Sequence, residues 1–233
     1  MKSRALLTTL TGVAMLAGSS MVMADPVIWD NGSVGAGSTA LSSQLDMAYP
    51  FDSQTADDFQ FSAGMLVTDV HWSGTYFNGA ALANPGPAFN IYIYADAGGK
   101  PTGGPNDPSG TALASYNTGV GGGNQTANGS LAGFFDYSYN LSTPFVALPG
   151  VHYWLAIQSV NNFPPQWGWG TSTGPAQLNN AQQGFPLLGI NYWTSVSPAH
   201  EMAFQLTGLP IPAPGVLALM GLAGMVGTRR RRA

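Results

Sequence analysis

Four aspartates in the first third of the chain, Asp52, Asp57, Asp58 and Asp69, are of the residue type that best suits cation binding. Calcium takes roughly six to eight oxygen ligands, many of them from carboxylates. The spacing matches no EF-hand loop, and a solvated acidic surface is the simpler interpretation of the same residues. Calcium is therefore the one cofactor that the sequence suggests, and nothing in the pattern requires it.

Trp167 and Trp169 are the most suggestive aromatic pair, because Gly168 between them puts both rings on one face of an extended segment. Exposed indole rings could stack on sugars, as in a carbohydrate-binding site. The alternative is that both rings fill the core of a β-sandwich, which needs large side chains. Both interpretations stay open at this point.

Catalytic patterns are weak. Residues 170–174 (Gly-Thr-Ser-Thr-Gly) match a nucleophile elbow, but that motif needs a helix after it, and Pro175 follows here. His71, His152 and His200 are too scattered for a metal-ligand spacing. Asp57 and Asp58 are adjacent in a predicted strand, so they point to opposite faces and do not form a glycosidase pair. We therefore expect a protein without enzymatic activity.

The charge of the chain is unevenly distributed. Residues 25–208 contain all eleven acidic residues and one basic residue, Lys100, which gives a formal charge of 1 − 11 = −10. Such a surface cannot neutralise a phosphate backbone, so nucleic acid is not an expected partner. The chain has no cysteine, which excludes disulfides, thiolate metal sites and a cysteine nucleophile.

Short alternating segments separated by Gly, Pro, Asn and Ser predict an all-β domain over residues 25–208. The clearest predicted strands are 58–62, 67–74, 89–94, 134–141, 152–160 and 202–207. We expect an antiparallel β-sandwich, either jelly-roll-like with roughly eight to ten strands or, second, immunoglobulin-like. Residues 95–110 and 119–129 are expected to be long loops.

The N-terminus predicts a signal peptide over residues 1–24. Lys2 and Arg4 precede an apolar helical stretch that is too short for a membrane span of about 20 residues. Ala24 is a suitable small residue before the cleavage site, so signal peptidase is an expected processing enzyme.

The C-terminal segment, residues 209–233, has three parts. Pro212, Ala213 and Pro214 lead into an apolar run that is expected to be helical, and the chain then ends on Arg229, Arg230, Arg231 and Arg232 before its last alanine. This layout resembles the PEP-CTERM sorting signal of Gram-negative bacteria, with Ala213 in the middle position of the motif. The resemblance implies an exosortase-type protease as a partner and transient anchoring in the inner membrane. Arginines that stay cytoplasmic would leave the domain outside, and a permanent anchor is the alternative.

Together these features predict an exported surface or extracellular-matrix protein. The alternative is a lectin-like, carbohydrate-binding module that contacts extracellular polysaccharide through Trp167 and Trp169, with calcium as a helper. A secreted hydrolase is the least supported class, for want of a catalytic constellation.

Overall fold

The computed structural model describes residues 25–46, 48–49, 52–106 and 111–212, and these form an all-β protein. Fourteen strands make two seven-stranded sheets. No α-helix occurs among these residues, and residues Pro186–Leu188 form a short 3-10 helix. The predicted antiparallel β-sandwich is confirmed.

The strands alternate irregularly between the sheets along the chain. Sheet A contains β1 (Val27–Asp30), β2 (Ala40–Ser42), β5 (Met65–Phe77), β8 (Thr126–Ala127), β9 (Phe134–Ala147), β11 (Gln166–Gly170) and β14 (Phe204–Pro210). Sheet B contains β3 (Gln44–Leu45), β4 (Gln54–Gln60), β6 (Ala88–Ala95), β7 (Ala112–Asn117), β10 (His152–Val160), β12 (Gln182–Phe185) and β13 (Ile190–Ser195). All pairings are antiparallel except that of β3 with β10.

The 13-residue strand β5 organises sheet A. Along one edge it pairs with β9, and along the other it pairs first with β14 and then with β11. Strand β1 adds to β14, so the first and last strands of the domain are neighbours. All six predicted strands exist, and the additional strands are mostly short ones without a period-two apolar pattern.

The main core lies between the two sheets. Phe89, Ile91 and Ile93 of β6 face it together, as the alternation predicts. From sheet A, Trp72 stacks on Tyr137 with ring centroids 5.5 Å apart. Edge-to-face and stacked aromatic pairs of this kind add to the stability that apolar burial provides.

Sheet B is also covered on its other face, which the period-two pattern did not indicate. Tyr94 and Trp154 point away from the main core and are nevertheless fully buried, in a second cluster that includes Trp193 of β13. The first part of the predicted loop after β6 contacts residues of this cluster. Asp96 accepts a hydrogen bond from Trp154 Nε1 at 2.9 Å, and Lys100 Nζ donates to Trp193 O at 3.3 Å.

The sandwich extends slightly further than residue 208. Strand β14 continues to Pro210, and the backbone N–H of Ile211 donates to Gly64 O at 2.8 Å. The segment between the sandwich and the terminal arginines therefore comprises residues 212–228 (228 − 212 + 1 = 17 residues). Within the described part of the chain, no helix has the length and apolar character needed to cross a membrane.

Candidate functional site

Three carboxylates are buried together where the two sheets meet. Asp57 and Asp58 lie in β4 of sheet B, and Glu201 lies shortly before β14 of sheet A. One oxygen from each carboxylate lies within 4.8 Å of the other two. Asp57 and Asp58 are fully buried, and Glu201 is only 8% exposed. We call Asp57, Asp58 and Glu201 the acidic cluster.

Asp57 links the two sheets. Its Oδ2 accepts hydrogen bonds from Asn31 Nδ2 at 2.8 Å and from the backbone N–H of Met202 at 2.5 Å. Asn31 directly follows β1, and Met202 precedes β14, so both donors belong to sheet A segments. The Asp57 carboxylate therefore connects the two sheets through hydrogen bonds.

Asp58 is on the opposite face of β4 from Asp57 by strand alternation, and one of its oxygens nevertheless lies within 4.8 Å of an oxygen of Asp57. Its Oδ2 accepts from the backbone N–H of Asn179 at 3.0 Å and from Asn179 Nδ2 at 2.9 Å. His152 Nε2 lies 2.7 Å from the same oxygen. Asp58 Oδ1 is buried and has no hydrogen-bond partner among the described residues. One oxygen of this carboxylate is thus fully engaged and the other is not.

Asn31 is fully buried and lies against the acidic cluster. Its Nδ2 faces three oxygens, at 2.8 Å from Asp57 Oδ2, 3.3 Å from Glu201 Oε2 and 3.1 Å from Met202 O. An amide nitrogen has two hydrogens, so one of these acceptors is in excess. Asn31 Oδ1 is buried without a hydrogen-bond partner among the described residues.

A partly open pocket of about 150 Å³ leads from the surface to Glu201. The turn Ser172–Gly174 forms one wall, and His200 forms part of another. In that turn, Ser172 Oγ accepts from the Gly174 N–H at 2.8 Å, so the Gly-Thr-Ser-Thr-Gly motif is a polar turn and no helix follows it. The pocket therefore reaches the Glu201 member of the acidic cluster, whereas Asp57 and Asp58 do not line it.

Burial makes ionisation of the acidic cluster unfavourable. The pKa of Asp57 is raised well above its ordinary value by burial first and by the charge of Glu201 second. Burial also raises the pKa of Asp58 and of Glu201. His152 is the one side chain able to carry positive charge that contacts the cluster among the described residues. The single lysine of the domain, Lys100, donates instead to Trp193 O at 3.3 Å.

The sign of the resulting pH dependence follows from these shifts. A carboxyl whose pKa is raised in the folded protein stabilises the fold while it is protonated. That contribution is complete below the unfolded pKa of about 4 and is lost as the pH rises through the folded pKa. At neutral pH, the acidic cluster on its own therefore opposes folding.

Trp167 and Trp169 lie in the core, each with no exposed surface. Trp167 Nε1 donates to Tyr137 Oη at 3.2 Å, and Trp169 Nε1 donates to Ala203 O at 3.0 Å. The structure therefore supports the interpretation that both rings fill the core of the sandwich. Neither ring offers a face on which a sugar could stack.

The four aspartates of the sequence-based set do not come together. Asp52 Oδ1 accepts from the Asp46 N–H at 3.0 Å, in the segment before β4. Asp69 lies in β5 of sheet A and pairs with His71 at 2.8 Å. Asp57 and Asp58 therefore belong to the acidic cluster, whereas Asp52 and Asp69 do not. The third member of the cluster is Glu201.

The proposed processing residues fall mostly outside the described residues. Pro212 is described and exposed, whereas the following residues of the tail, Ala213, Pro214, Arg229, Arg230, Arg231 and Arg232, and the signal cleavage residue Ala24 lie beyond the described range.

Sequence reasoning missed Asn31 and Glu201. Glu201 could have been singled out from the sequence, because it is the only glutamate of the chain and directly precedes a predicted strand. Asn31 could not, since one asparagine after a short strand is an ordinary turn residue. The partners Asn31 and Glu201 are 170 residues apart in the chain.

A second concave surface lies on the outer face of sheet A and has a volume of about 380 Å³. Its main polar side chains are those of Ser33, His71, Ser73, Asn128, Ser130, Asp136 and Gln205. Asp136 Oδ1 accepts from Ser73 Oγ at 2.7 Å and from Asn128 Nδ2 at 2.8 Å. The side chain of His71 is 44% exposed here. We call this surface the polar cleft.

Comparison with known proteins adds one finding. No curated protein matches the chain. A family described as "Domain of unknown function (DUF7901)" matches residues 33–207, which is 175 of the 233 residues (207 − 33 + 1). The match covers every strand except β1 and the last residues of β14, and it includes Asp57, Asp58 and Glu201. The chain therefore belongs to the DUF7901 family.

Proposed function

We propose that this protein is an exported, non-enzymatic component of the cell surface or extracellular matrix, sorted by its C-terminal segment. A signal peptide over residues 1–24 and the three-part tail that ends on Arg229–Arg232 support export and sorting. The proposal includes a helix in each of these flanking segments.

The pairing of β1 with β14 is the structural observation that carries the proposal. The Gly208 N–H donates to Pro26 O at 3.0 Å, so the chain enters and leaves sheet A at the same end. A tail that starts at Pro212 would then hold the domain by this end. The acidic cluster adjoins the other end of β14, six residues or about 20 Å away. Attachment at the tail would leave that end of the domain exposed to the surroundings.

The sorting step is tested with two epitope tags on the full chain, one after Ala233 and one in the exposed loop at Val120. In a host with an exosortase, we expect loss of the C-terminal tag and retention of the loop tag in the mature protein. In an otherwise identical host without exosortase, both tags should remain. Replacing the four terminal arginines by alanine should also block processing. Retention of both tags in both hosts would show that the tail is not cleaved and would favour the alternative, a permanent membrane anchor.

Carbohydrate binding is a second candidate, now at the polar cleft rather than at the two tryptophans. Hydroxyl, amide, imidazole and carboxylate groups converge there, and such groups can hydrogen-bond sugar hydroxyls. This arrangement favours a polysaccharide ligand on the outer face of sheet A.

We expect the exported protein to bind a subset of glycans on an array, and the double variant His71→Ala, Asp136→Asn to lose at least tenfold in affinity. Tyr192→Ala is the matched control, because Tyr192 is 63% exposed on β13 of the other sheet. Equal binding by the wild type and both variants, or binding to no glycan, would rule out the cleft as a sugar site.

A further inference from the structure

We propose that the acidic cluster is a binding site for a calcium-class divalent cation, held by Asp57, Asp58 and Glu201 with Asn31 as a fourth oxygen ligand. This inference is independent of how the protein is sorted. It assigns a ligand to buried groups that neither proposed function uses.

The spacing of the oxygens fits such an ion. Calcium–oxygen distances of about 2.3–2.6 Å place opposite ligands about 4.6–5.2 Å apart. The cluster oxygens lie within 4.8 Å of one another, so one ion can reach all three. Magnesium at about 2.1 Å demands shorter separations and near-ideal octahedral geometry, which a cluster drawn from two sheets is less suited to supply.

The charge balance points the same way. Three carboxylates are buried together, and buried charges in proteins are paired, bound to metals or neutralised by protons. Of these three carboxylates His152 contacts only Asp58, and it also pairs with Asp96 at 3.5 Å, so it cannot neutralise the cluster. A divalent cation would balance two of the three negative charges.

Asn31 supplies the independent observation. It is not acidic, it is fully buried, and its amide lies against Asp57 and Glu201 with Oδ1 unpartnered among the described residues. An ion bound between Asp57 and Glu201 would displace the amide nitrogen, and a 180° turn of the amide would then make Oδ1 a ligand. Ion binding would thereby give Asn31 Oδ1 the partner that it lacks among the described residues.

The small pocket beside Glu201 brings solvent to one of the proposed ligands, so an ion would enter on the Glu201 side. The ligands come from β4, from the segment after β1 and from the segment before β14, so a bound ion would connect sheet B to sheet A. Ion binding should therefore stabilise the whole sandwich rather than one loop.

The test uses the full chain, expressed with its export signals and purified in mild detergent after treatment with a chelator. Calcium chloride is titrated by calorimetry, and Tm is measured with and without 10 mM calcium at pH 6 and pH 8. We expect one site with a Kd on the order of 0.1–1 mM and a rise in Tm of about 5–10 °C at pH 8. The affinity should be lower at pH 6, because protons compete for the same carboxylates.

Asp58→Asn is the diagnostic variant, because an amide can keep the bonds to Asn179 and His152 through its oxygen while losing the charge. It should bind calcium at least tenfold more weakly. Asp69→Asn is the matched control, with the same charge change outside the acidic cluster, and it should bind like the wild type. Glu201→Gln provides a second variant if Asp58→Asn fails to fold.

Two results would overturn the proposal. One is wild-type protein that shows no saturable calcium binding at either pH, with a Tm that depends on pH alone, since protons would then neutralise the cluster. The other is calcium binding that Asp69→Asn weakens as much as Asp58→Asn or Glu201→Gln does. That result would indicate diffuse binding to the acidic surface.

Discussion

Trp167→Ala is expected to lower the free energy of unfolding by about 3–5 kcal/mol, the range typical of a large aromatic residue removed from a core. Trp167 has no exposed surface, and its ring packs edge-to-face on Phe89 with centroids 5.0 Å apart. The substitution also removes the indole N–H that donates to Tyr137 Oη. Loss of this buried hydrogen bond adds to the loss of apolar contact and to the cavity that remains.

Urea unfolding followed by circular dichroism measures this effect. Tyr192→Ala is a suitable control, since it also deletes an aromatic ring but at a site that is 63% exposed. The control should change stability by less than about 0.5 kcal/mol. A Trp167→Ala protein as stable as the control would mean that the ring is not packed in the core.

Trp167→Ala also tests whether the indole ring takes part in sugar binding. If Trp167→Ala loses glycan binding only in proportion to its unfolded fraction, the ring acts through stability alone. If Trp167→Ala folds normally and yet does not bind sugar, the indole ring must contact the sugar directly. That result would contradict the position of the ring between the sheets.

Gly74→Ala is expected to destabilise the domain by about 3 kcal/mol, the upper end of the usual range for overpacking. A β-carbon on Gly74 of β5 would lie 2.3 Å from Cζ2 and 2.6 Å from Cε2 of Trp167. It would also lie 2.7 Å from Gly168 O, so the neighbouring strand β11 must move as well. The absence of a side chain at Gly74 is what allows the indole to lie flat against the sheet.

A double-mutant cycle separates the ring clash from the backbone clash. Phenylalanine at position 167 lacks Cζ2, the atom that a β-carbon at position 74 would meet first. Gly74→Ala should therefore cost at least 1 kcal/mol less in a Trp167→Phe background than in the wild type. Gly129→Ala, where a β-carbon meets nothing within 4 Å, is the control and should be nearly neutral. Strictly additive effects at positions 74 and 167 would contradict this contact.

The fold class could be predicted from the sequence because apolar residues recur at every second position in the longest strands. In β6, Phe89, Ile91 and Ile93 alternate with polar and aromatic residues and face the core as expected. Strands such as β12 were not predictable, since Gln182–Phe185 (Gln-Gln-Gly-Phe) has no apolar alternation. It is a strand because β4 and β13 supply partners on both sides.

The candidate site was only half predictable. Asp57 and Asp58 stand out as neighbouring acids at a predicted strand, and they do belong to the acidic cluster. Two of their neighbours, Glu201 and Met202, come from a segment more than 140 residues away, just before the last strand. Local pattern cannot reveal which distant residue tertiary pairing brings to a carboxylate. Burial of Trp167 and Trp169 was undecided for the same reason, since alternation shows that two rings share a face but not what covers them.

The pairing of β1 with β14 also constrains the order in which the domain can assemble. Val27 lies opposite Thr207, so a contact that completes sheet A joins residues 180 positions apart (207 − 27). Contacts of such long sequence separation form slowly, because a long loop must close before they form. In a chain that crosses a membrane from its N-terminus, β1 would wait for β14 to emerge. Asp57 and Glu201 are also far apart in the chain, so the proposed ion site would form late in folding.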